Sequence, residues 1–392
     1  MRVVYVCTDQ GVPAFGRKGA SVHVQAILTQ LLDRGDDVHL VNPRPGSRPA
    51  GLSRVHVHEI AVGARRDGEP ERAAQDLDRR VASILDDIHS QAPVDLVYER
   101  YALWGRTTTS WARAHGVASV LEVNSPLPDE QARHRVLVDR AAADAVARDA
   151  TARADAVVCV SSPVAHWVRA LGTAAPDSIH VIPNGVDTRR FASLDVRRDP
   201  ATFTLGFVGT LKPWHGVADL VRALALLHRH DTTYRLLVVG DGPERGSLET
   251  LVDHLGLRGA AEFSGSADPV DVPALLARMD VAVAPYPPSE DFYFSPLKIN
   301  EYFAAGLPVI TSDVGNLPAL LTGGAHPLGL LYPAGSADGL ARVVSQLRDD
   351  PVARADLGGR GRRAAVEQHD WKRVVDRILD LVGVAGVTTQ AS

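Results

Sequence analysis

Cysteine is scarce in this 392-residue chain, which contains only Cys7 and Cys159. Each lies in an apolar, strand-like run, VVYVC and AVVCV, where a thiol behaves as a small hydrophobic side chain. We therefore interpret both cysteines as core residues and not as ligands.

Long apolar runs are absent as well. No secretory signal follows Met1-Arg2, and no run is long enough to cross a bilayer. We expect a cytoplasmic protein with no transmembrane segment, and peripheral contact with a membrane stays open.

The chain also lacks an excess of either charge, with 42 basic and 47 acidic residues. A broad nucleic-acid footprint needs a basic face, so we expect a small-molecule partner and no nucleic acid. The content of 45% hydrophobic and 23% charged residues argues against disorder. The length is sufficient for two domains.

Lysine is rare compared with arginine, since Lys18, Lys212, Lys298 and Lys372 are the only four in the chain. The first three fall in loops that the patterns below mark as phosphate-binding. A lysine supplies a compact point charge where an arginine supplies a planar fork. We interpret these three lysines as candidate phosphate ligands.

Short apolar strands alternate with helical patterns along the chain. In the first half they are Val3–Cys7, Val38–Val41, Val55–Ile60, Leu96–Glu99, Ser119–Val123 and Ala156–Val160. The second half opens with a strand at Phe203–Val208, a glycine loop and a helix through Leu227. This alternation favours parallel sheets with helices on both faces. We also expect one helix over Gln131–Arg153.

A strong turn signal, IPNGVD at Ile182–Asp187, lies near the midpoint and precedes a polar, arginine-rich stretch. We predict a first domain over residues 1–187, a linker over 188–200 and a second domain over 201–366. Residues 367–392 form a helix and a frayed tail in this interpretation.

Polar residues follow the ends of two strands in the first half. VYERYALWG and LEVNSPLPDE place Arg100, Glu122, Asn124 and Glu130 there. Ligands of open parallel sheets bind at the carboxyl ends of strands. We expect these residues on one side of a ligand-binding cleft, and plain capping roles are the alternative.

The densest motif is SEDFYFSPLKINEYFAAGLPVITSD, residues 289–313. Ser295 is a favoured N-cap and Pro296 suits the first helical position, so we predict that a helix begins at Ser295. Its N-terminus and Lys298 favour a bound anion, and Glu301 lies where it can accept hydrogen bonds from ribose hydroxyls. An ordinary capped helix with a solvated Lys298 and Glu301 is the alternative.

The segment SPLKINEYFAAGLPVITSD resembles the signature of retaining glycosyltransferases of family 4. The resemblance implies an α/β fold of the GT-B type, in which two Rossmann-like domains face a central cleft and a C-terminal helix crosses back to the first domain. In the family pattern two glutamates are separated by seven residues. Glu301 matches the second, whereas Tyr293 occupies the position of the first, and Asp291 or Glu290 are displaced candidates for its sugar contact.

The resemblance also extends to the glycine loops. GRKGASVHV at Gly16–Val24 looks like the family loop that touches the donor phosphates or the acceptor. In GTLKPWHG the positions of two family cations hold Thr210 and His215, so we assign the phosphate role to Lys212, with His215 as a partial substitute. The loops containing Gly240 and Gly265 resemble those that flank the nucleotide base.

These considerations give three groups of predicted site residues. The catalytic candidates are Lys212, Lys298, Asn124 and Arg100. The acceptor-side candidates are His23, Glu122 and Glu130, with a structural role as an equal alternative for His23. The donor-binding candidates are Gly16, Lys18, Gly19, Gly209, Thr210, His215, Gly240, Gly265, Asp291, Tyr293, Phe294, Ser295, Pro296, Leu297 and Glu301.

The resemblance implies transfer of a sugar from a nucleotide diphosphate donor to a small-molecule or glycan acceptor with retention of anomeric configuration. Positioned cations and a helix N-terminus can stabilise charge on the departing phosphate. No strand-borne Asp-x-Asp pair suggests a divalent ion, so we predict no metal and no cofactor besides the donor substrate. A nucleotide-sugar epimerase of the same fold and a nucleotide-binding module without catalysis are the alternatives.

Overall fold

The computed structural model describes residues 1–62, 70–194 and 198–384. Residues 195–197 of the predicted linker and 385–392 of the predicted tail lie outside this part. The chain groups into two compact units that divide between Asn184 and Gly185, within the IPNGVD turn. The described residues of the first unit are 1–62, 70–184, 293–295 and 371–384, and those of the second are 185–194, 198–292 and 296–370.

The described residues of the first unit form a seven-stranded parallel sheet in the order β3-β2-β1-β4-β5-β6-β7. The strands are β1 (Arg2–Val6), β2 (Asp37–Asn42), β3 (His56–Glu59), β4 (Leu96–Arg100), β5 (Ala118–Val123), β6 (Ala156–Cys159) and β7 (Ile179–Val181). The helices between them are α1 (Gly19–Asp33), α2 (Pro70–Gln91), α3 (Thr107–His115), α4 (Leu127–His134), α5 (Arg140–Arg153) and α6 (Ser162–Leu171). The strand order reverses between β1 and β4.

The described residues of the second unit form a six-stranded parallel sheet in the order β10-β9-β8-β11-β12-β13. The strands are β8 (Phe203–Val208), β9 (Tyr234–Val239), β10 (Ala261–Gly265), β11 (Val281–Ala284), β12 (Val309–Ser312) and β13 (Gly329–Tyr332). The helices are α7 (Val217–His228), α8 (Arg245–His254), α9 (Val272–Leu276), α10 (Leu297–Ala304), α11 (Leu317–Thr322), α12 (Ala337–Asp349) and α13 (Pro351–Ala364). The strand order reverses between β8 and β11.

The central strands are apolar on both faces. In β1, Val3, Val4 and Val6 are fully buried, and in β11 the whole run Val281–Ala284 is buried. Parallel sheets need this pattern because helices cover both of their faces. The predicted class, two Rossmann-like parallel sheets, is confirmed.

The C-terminal helix α14 (Trp371–Asp380) belongs to the first unit. It packs against α1, where Arg34 Nη1 lies 2.9 Å from Asp376 Oδ1. This is the return to the first domain that the resemblance implies. Among the described residues, no helix combines the length and the apolar content needed to cross a membrane.

The prediction of one helix over Gln131–Arg153 is wrong, because α4 ends at His134 and α5 begins at Arg140. Glu71 Oε1 accepts a hydrogen bond from the Val138 amide at 2.7 Å. The Asp139 carboxylate accepts another from the Ala142 amide at 2.9 Å, which makes Asp139 an N-cap. These two carboxylates bind amides that a continuous helix would use internally.

Candidate functional site

Three glycine loops meet at the carboxyl edge of the second sheet. Gly209 follows β8, Gly240 follows β9, and Gly265 ends β10. The Gly209 amide donates to the Val239 carbonyl at 2.9 Å, and the Gly240 amide donates to the Gly265 carbonyl at 2.8 Å. The edge is therefore lined by backbone that a ligand can approach closely.

Gly240 has a φ of 136°, and a Cβ there would collide with the carbonyl oxygen of Gly209. Both the backbone angle and the available space therefore require glycine at this position. The close approach of the two loops depends on it.

Lys298, the second residue of α10, is the central charged group of this edge. Its side chain is buried, and Nζ lies 4.0 Å from the centroid of the Phe207 ring and 5.5 Å from that of Tyr286. A Cβ on Gly209 would stand only 2.7 Å from Nζ, so the glycine leaves the ammonium room against the loop. Within the described ranges Nζ has no hydrogen-bond partner. Burial lowers the pKa of Lys298 to about 7, although Glu301 acts in the opposite direction.

The predicted N-cap at Ser295 is wrong. Helix α10 begins at Leu297 with Pro296 in the cap position, and no described side chain caps it. Asn184 makes two hydrogen bonds to Ser295. The backbone amide of Asn184 donates to Ser295 Oγ at 3.1 Å, and its side-chain Nδ2 donates to the Ser295 carbonyl at 2.8 Å. Ser295 therefore belongs to the first unit and not to the helix.

Glu301 lies one turn after Lys298 and is half-buried. Arg190 Nη1 stands 3.6 Å from Glu301 Oε1. Burial raises the pKa of Glu301, and the positive charges of Arg190 and Lys298 partly offset that effect. Nothing in the sequence marks Arg190 as a site residue, since its pairing with a residue more than a hundred positions away has no local signal.

His215 ends the short 3-10 turn Pro213–His215 in the loop after β8. Its Nδ1 contacts the carbonyl oxygen of Thr210, and its ring lies 5.9 Å from the rings of both Phe207 and Tyr286. Burial and the charge of Lys298 lower the pKa of His215 to about 3. The ring is therefore uncharged near neutral pH. Because the Thr210 carbonyl can only accept, the single ring proton is on Nδ1 and Nε2 has none to donate to a phosphate, which argues against the expected role of His215 as a substitute cation.

Lys212 precedes that turn and is half-buried. Its Nζ lies 5.6 Å from the ring centroid of Trp214, a side chain that is 50% exposed. Thr210, at the position of a family cation, is exposed. This edge of the second unit thus holds six of the fifteen predicted donor-binding residues together with two catalytic candidates. The six are Gly209, Thr210, His215, Gly240, Gly265 and Glu301, and the two are Lys212 and Lys298.

Glu122 in β5 is the centre of a buried cluster in the first unit. It pairs in register with Arg100 of β4, whose Nη1 donates to Oε1 at 3.3 Å. The Tyr98 hydroxyl and Asn124 Nδ2 also donate to this carboxylate. His23 Nε2 lies 2.9 Å from Oε2.

The charge of Glu122 is stable in this environment. Burial alone would raise its pKa, but His23, Arg100 and the Tyr98 hydroxyl lower the pKa to about 2. Glu122 itself is only 1% exposed. The arrangement fits a carboxylate that orients His23, Arg100 and Asn124.

His23 lies in the first turns of α1 and is buried, with its ring edge-on to Trp371 of α14 at 4.9 Å. Among the described residues its Nδ1 has no hydrogen-bond partner. The preceding loop is fixed by Gln25, whose Nε2 donates to the carbonyls of Ala14 at 3.1 Å and Gly16 at 2.8 Å. Gln25 was not singled out in the sequence, because its role depends on the folded loop.

Lys18 and Gly19 are exposed at the start of α1.

Tyr293 is half-buried in the first unit, where its hydroxyl donates to Glu130 Oε2 at 3.0 Å and its carbonyl accepts from Ser161 Oγ at 2.6 Å. Asp291 and Phe294 are exposed on either side of it. Tyr293, which occupies the position of the first glutamate of the motif, is therefore hydrogen-bonded to Glu130, an acceptor-side candidate.

The two Rossmann-like units, with polar residues and glycine loops at the carboxyl edges of their sheets, define a protein of the GT-B fold class. HepE of Anabaena, crystallised with UDP and glucose, matches with a TM-score of 0.73 and 18% identity over 98% of this chain and 99% of its own. Sucrose-phosphate synthase of Thermosynechococcus elongatus matches with a TM-score of 0.73 and 20% identity over 97% of this chain and 98% of its own. These similarities concern the fold.

Two family models match the sequence. The model described as Glycosyltransferase Family 4 covers residues 17–190, and the model described as Glycosyl transferases group 1 covers residues 202–350. Each covers less than half of the chain, and the two follow each other in the order in which the units occur.

Curated relatives include several proteins named as glycosyltransferases and one named as a sugar-phosphate synthase. The MMP alpha-(1->4)-mannosyltransferase of Mycolicibacterium hassiacum is 31% identical over 56% of this chain, which spans only 51% of that protein. Alpha-maltose-1-phosphate synthase of Mycolicibacterium smegmatis is 25% identical over 97% of this chain and 98% of its own length. The chain thus spans about half the length of the first of these relatives and nearly all of the second.

Proposed function

We propose that the chain is a glycosyltransferase that moves a sugar from a nucleotide diphosphate donor to a small-molecule or glycan acceptor. The observation that supports this most is the buried Lys298 ammonium beside the Gly209 loop, which has no hydrogen-bond partner among the residues that the structure describes. A buried ammonium without an acceptor is costly, and an anionic ligand at the carboxyl edge of the sheet removes that cost. The family models and the relatives favour a sugar nucleotide as this ligand.

The donor side of the proposed reaction uses residues of the second unit. Lys298 and Lys212 stabilise negative charge that develops on the departing phosphate, and uncapped amides at the start of α10 add to their effect. Glu301 binds the ribose hydroxyls, and His215 holds the loop after β8 through its contact with the Thr210 carbonyl. We propose that these groups act without a metal ion.

The acceptor side uses residues of the first unit. Arg100 and Asn124 contact the sugar or the acceptor, and His23 is positioned beside them by Glu122. Retention of anomeric configuration is proposed from the resemblance of the 295–313 segment to retaining enzymes. It implies attack from the face of the leaving group, with the proton of the acceptor passing to a phosphate oxygen.

Thermal unfolding with UDP, GDP, ADP and dTDP tests the donor site. A nucleotide at about a hundred times its dissociation constant stabilises the protein by roughly 2.7 kcal/mol. We expect one nucleotide to raise the Tm of the wild type and to lose most of this effect with Glu301→Ala. Glu249→Ala, an exposed change in α8, is the matched control and should keep the full response. Protection by none of the four nucleotides at millimolar concentration contradicts the proposal.

Turnover then distinguishes the reaction classes. The sugar conjugates of the protecting nucleotide are incubated with and without candidate acceptors, and free nucleotide and sugar products are measured. A transferase releases nucleoside diphosphate in the presence of an acceptor. Conversion of the donor to an isomer without nucleotide release supports an epimerase, and nucleotide binding without any turnover supports a binding module.

A further inference from the structure

A histidine-rich cluster lies at the other end of the first sheet, near the amino-terminal ends of β2 and β3. Asp37 and His39 are the first and third residues of β2. His56 and His58 are the first and third residues of β3, which is the edge strand of the sheet. His39 pairs in register with His56. Side chains two residues apart point to the same face of a sheet, so the register places all four on one face.

Three of these residues offer ligand atoms to a common point. Asp37 Oδ1 lies 3.4 Å from His56 Nε2, and Asp37 Oδ2 lies 3.5 Å from His39 Nε2. All three ligand atoms are within 4.8 Å of one another. Metal–ligand bonds of about 2.0–2.2 Å place tetrahedral ligands roughly 3.4 Å apart, so a small contraction completes the geometry.

The hydrogen bond of His39 uses Nδ1 and leaves Nε2 available as a metal ligand. His39 Nδ1 lies 2.9 Å from His58 Nε2. His39 is 5% exposed, and in the part of the chain that the structure describes its Nε2 has no hydrogen-bond partner. When His39 Nδ1 donates to His58, the lone pair of Nε2 faces Asp37 and His56. Most histidine ligands of metals donate a hydrogen bond in this way from the ring nitrogen that does not bind the metal.

The carboxylate is oriented in a similar way. Arg2 Nε donates to Asp37 Oδ2 at 2.8 Å, which leaves Oδ1 on the side of His56. The charge of Arg2 weakens cation binding but fixes the carboxylate, as hydrogen bonds to metal-ligating carboxylates do. His56 is 61% exposed, so the cluster is accessible to solvent.

We propose that Asp37, His39 and His56 bind a divalent transition ion of the Zn²⁺ type, with His58 as the residue that orients His39 and with water at the open position. Two imidazoles and one carboxylate suit Zn²⁺, Co²⁺ or Ni²⁺, whereas Mg²⁺ and Ca²⁺ prefer oxygen ligands. The cluster lies at the amino-terminal ends of the strands, while Arg100 and Glu122 lie at the carboxyl ends of β4 and β5. The ion therefore ties the edge strand β3 to β2 and takes no part in donor chemistry.

Calorimetric titration of the full chain, free of histidine tags and dialysed against EDTA, tests this site with ZnCl₂. We expect one Zn²⁺ per chain and a Tm that rises with Zn²⁺ but not with MgCl₂. His56→Ala removes an exposed ligand and should weaken Zn²⁺ binding at least tenfold. His58→Ala should weaken it about 10- to 100-fold, as losses of second-layer hydrogen bonds do. His254→Ala, an exposed histidine of α8, is the control and should leave binding unchanged.

Two results overturn the proposal: no binding of Zn²⁺, Co²⁺ or Ni²⁺ at millimolar concentration, or equal Zn²⁺ affinity of the wild type and His56→Ala. Equal Tm values of these two proteins in EDTA show that the variant is folded. The response to nucleotides is measured in parallel, because His56→Ala leaves it intact. Failure of the metal site is thereby separated from failure of the proposed transferase function.

Discussion

The ammonium of Lys298 rests against the ring of Phe207, with 4.0 Å between Nζ and the ring centroid. An aromatic face attracts a cation by up to about 2 kcal/mol, which is less than the cost of removing a charge from water. The unliganded protein therefore carries local destabilisation at the position where we propose that the diphosphate binds. Such destabilisation is typical of functional sites.

Replacing Lys298 by methionine should separate stability from function. Lys298→Met keeps the length of the side chain and removes the buried charge, so we expect the free energy of unfolding of the unliganded protein to increase by about 1–3 kcal/mol. The Tm increase caused by the protecting nucleotide should disappear. Lys372→Met is the control, because Lys372 is 71% exposed and pairs with Asp376 on the surface of α14. A destabilised Lys298→Met protein with a normal nucleotide response contradicts this interpretation.

The affinity for the nucleotide should depend on pH through Lys298. Its pKa is about 7 in the folded, unliganded protein, and a diphosphate favours the charged form. Binding above pH 7 therefore takes up a proton, and affinity should fall by up to about tenfold per pH unit. Calorimetry in buffers of different ionisation enthalpy measures this uptake. Lys298→Arg, which stays charged, should flatten the profile.

The same group affects unfolding with the opposite sign. An unfolded lysine titrates near its ordinary pKa of about 10.4, so between pH 7 and 10 the unfolded chain binds more protons than the folded chain at this position. The contribution of Lys298 to the free energy of unfolding therefore rises with pH in this window. Urea unfolding of the wild type and Lys298→Met at pH 7, 8 and 9 should show the difference between the two proteins shrinking.

Gly240→Ala should damage the glycine loops. The new Cβ would collide with the Gly209 carbonyl, and the φ of 136° is unfavourable for alanine. We expect a loss of about 2–4 kcal/mol in the free energy of unfolding and a weaker nucleotide response. Gly246→Ala is the control: Gly246 lies in α8 with open space around its Cα, and alanine there should stabilise by about 0.5–1 kcal/mol. Similar effects of both changes would show that the loop contact is unimportant.

Glu122→Gln should destabilise the buried cluster around residue 122 in the first unit. The neutral amide leaves Arg100 without its anionic partner, and we expect a loss of about 1–3 kcal/mol at pH 7. The wild type should lose this contribution as pH falls from about 4.3 towards the folded pKa of about 2, while the variant has no such dependence. Glu249→Gln, which breaks an exposed pair with Arg245, should cost less than about 0.5 kcal/mol. An unchanged stability of Glu122→Gln would exclude the orienting role.

Much of the fold is predictable from the sequence because apolar strands and glycine loops are local signals. The strand predicted at Phe203–Val208 has the same bounds in the structure. The helix start was misplaced because the hydroxyl of Ser295 binds the amide of Asn184, which is distant in the chain. The break before Arg140 was missed for a similar reason, since Glu71 of another helix binds the amide of Val138.

The sequence is sufficient to predict several residues of the candidate site but not their protonation states. Lys298 and Glu301 are visible as motif residues, whereas the neutral state of His215 follows from burial near Lys298. The cluster of Asp37, His39 and His56 contains no Asp-x-Asp pair, so the sequence pattern used to predict the absence of a metal does not detect it. It becomes visible only with the register of β2 against β3.

The return of α14 to the first unit has a consequence for the order of events during synthesis. Residues 1–184 leave the ribosome first, yet the face of α1 that receives α14 stays uncovered until residues 371–380 have been made. His23 lacks its contact with Trp371 until then. Domains generally fold as units as they emerge, so the second unit, nearly continuous in the chain, can fold before the first is complete. The part of the chain that is translated first is thus the last to reach its finished state.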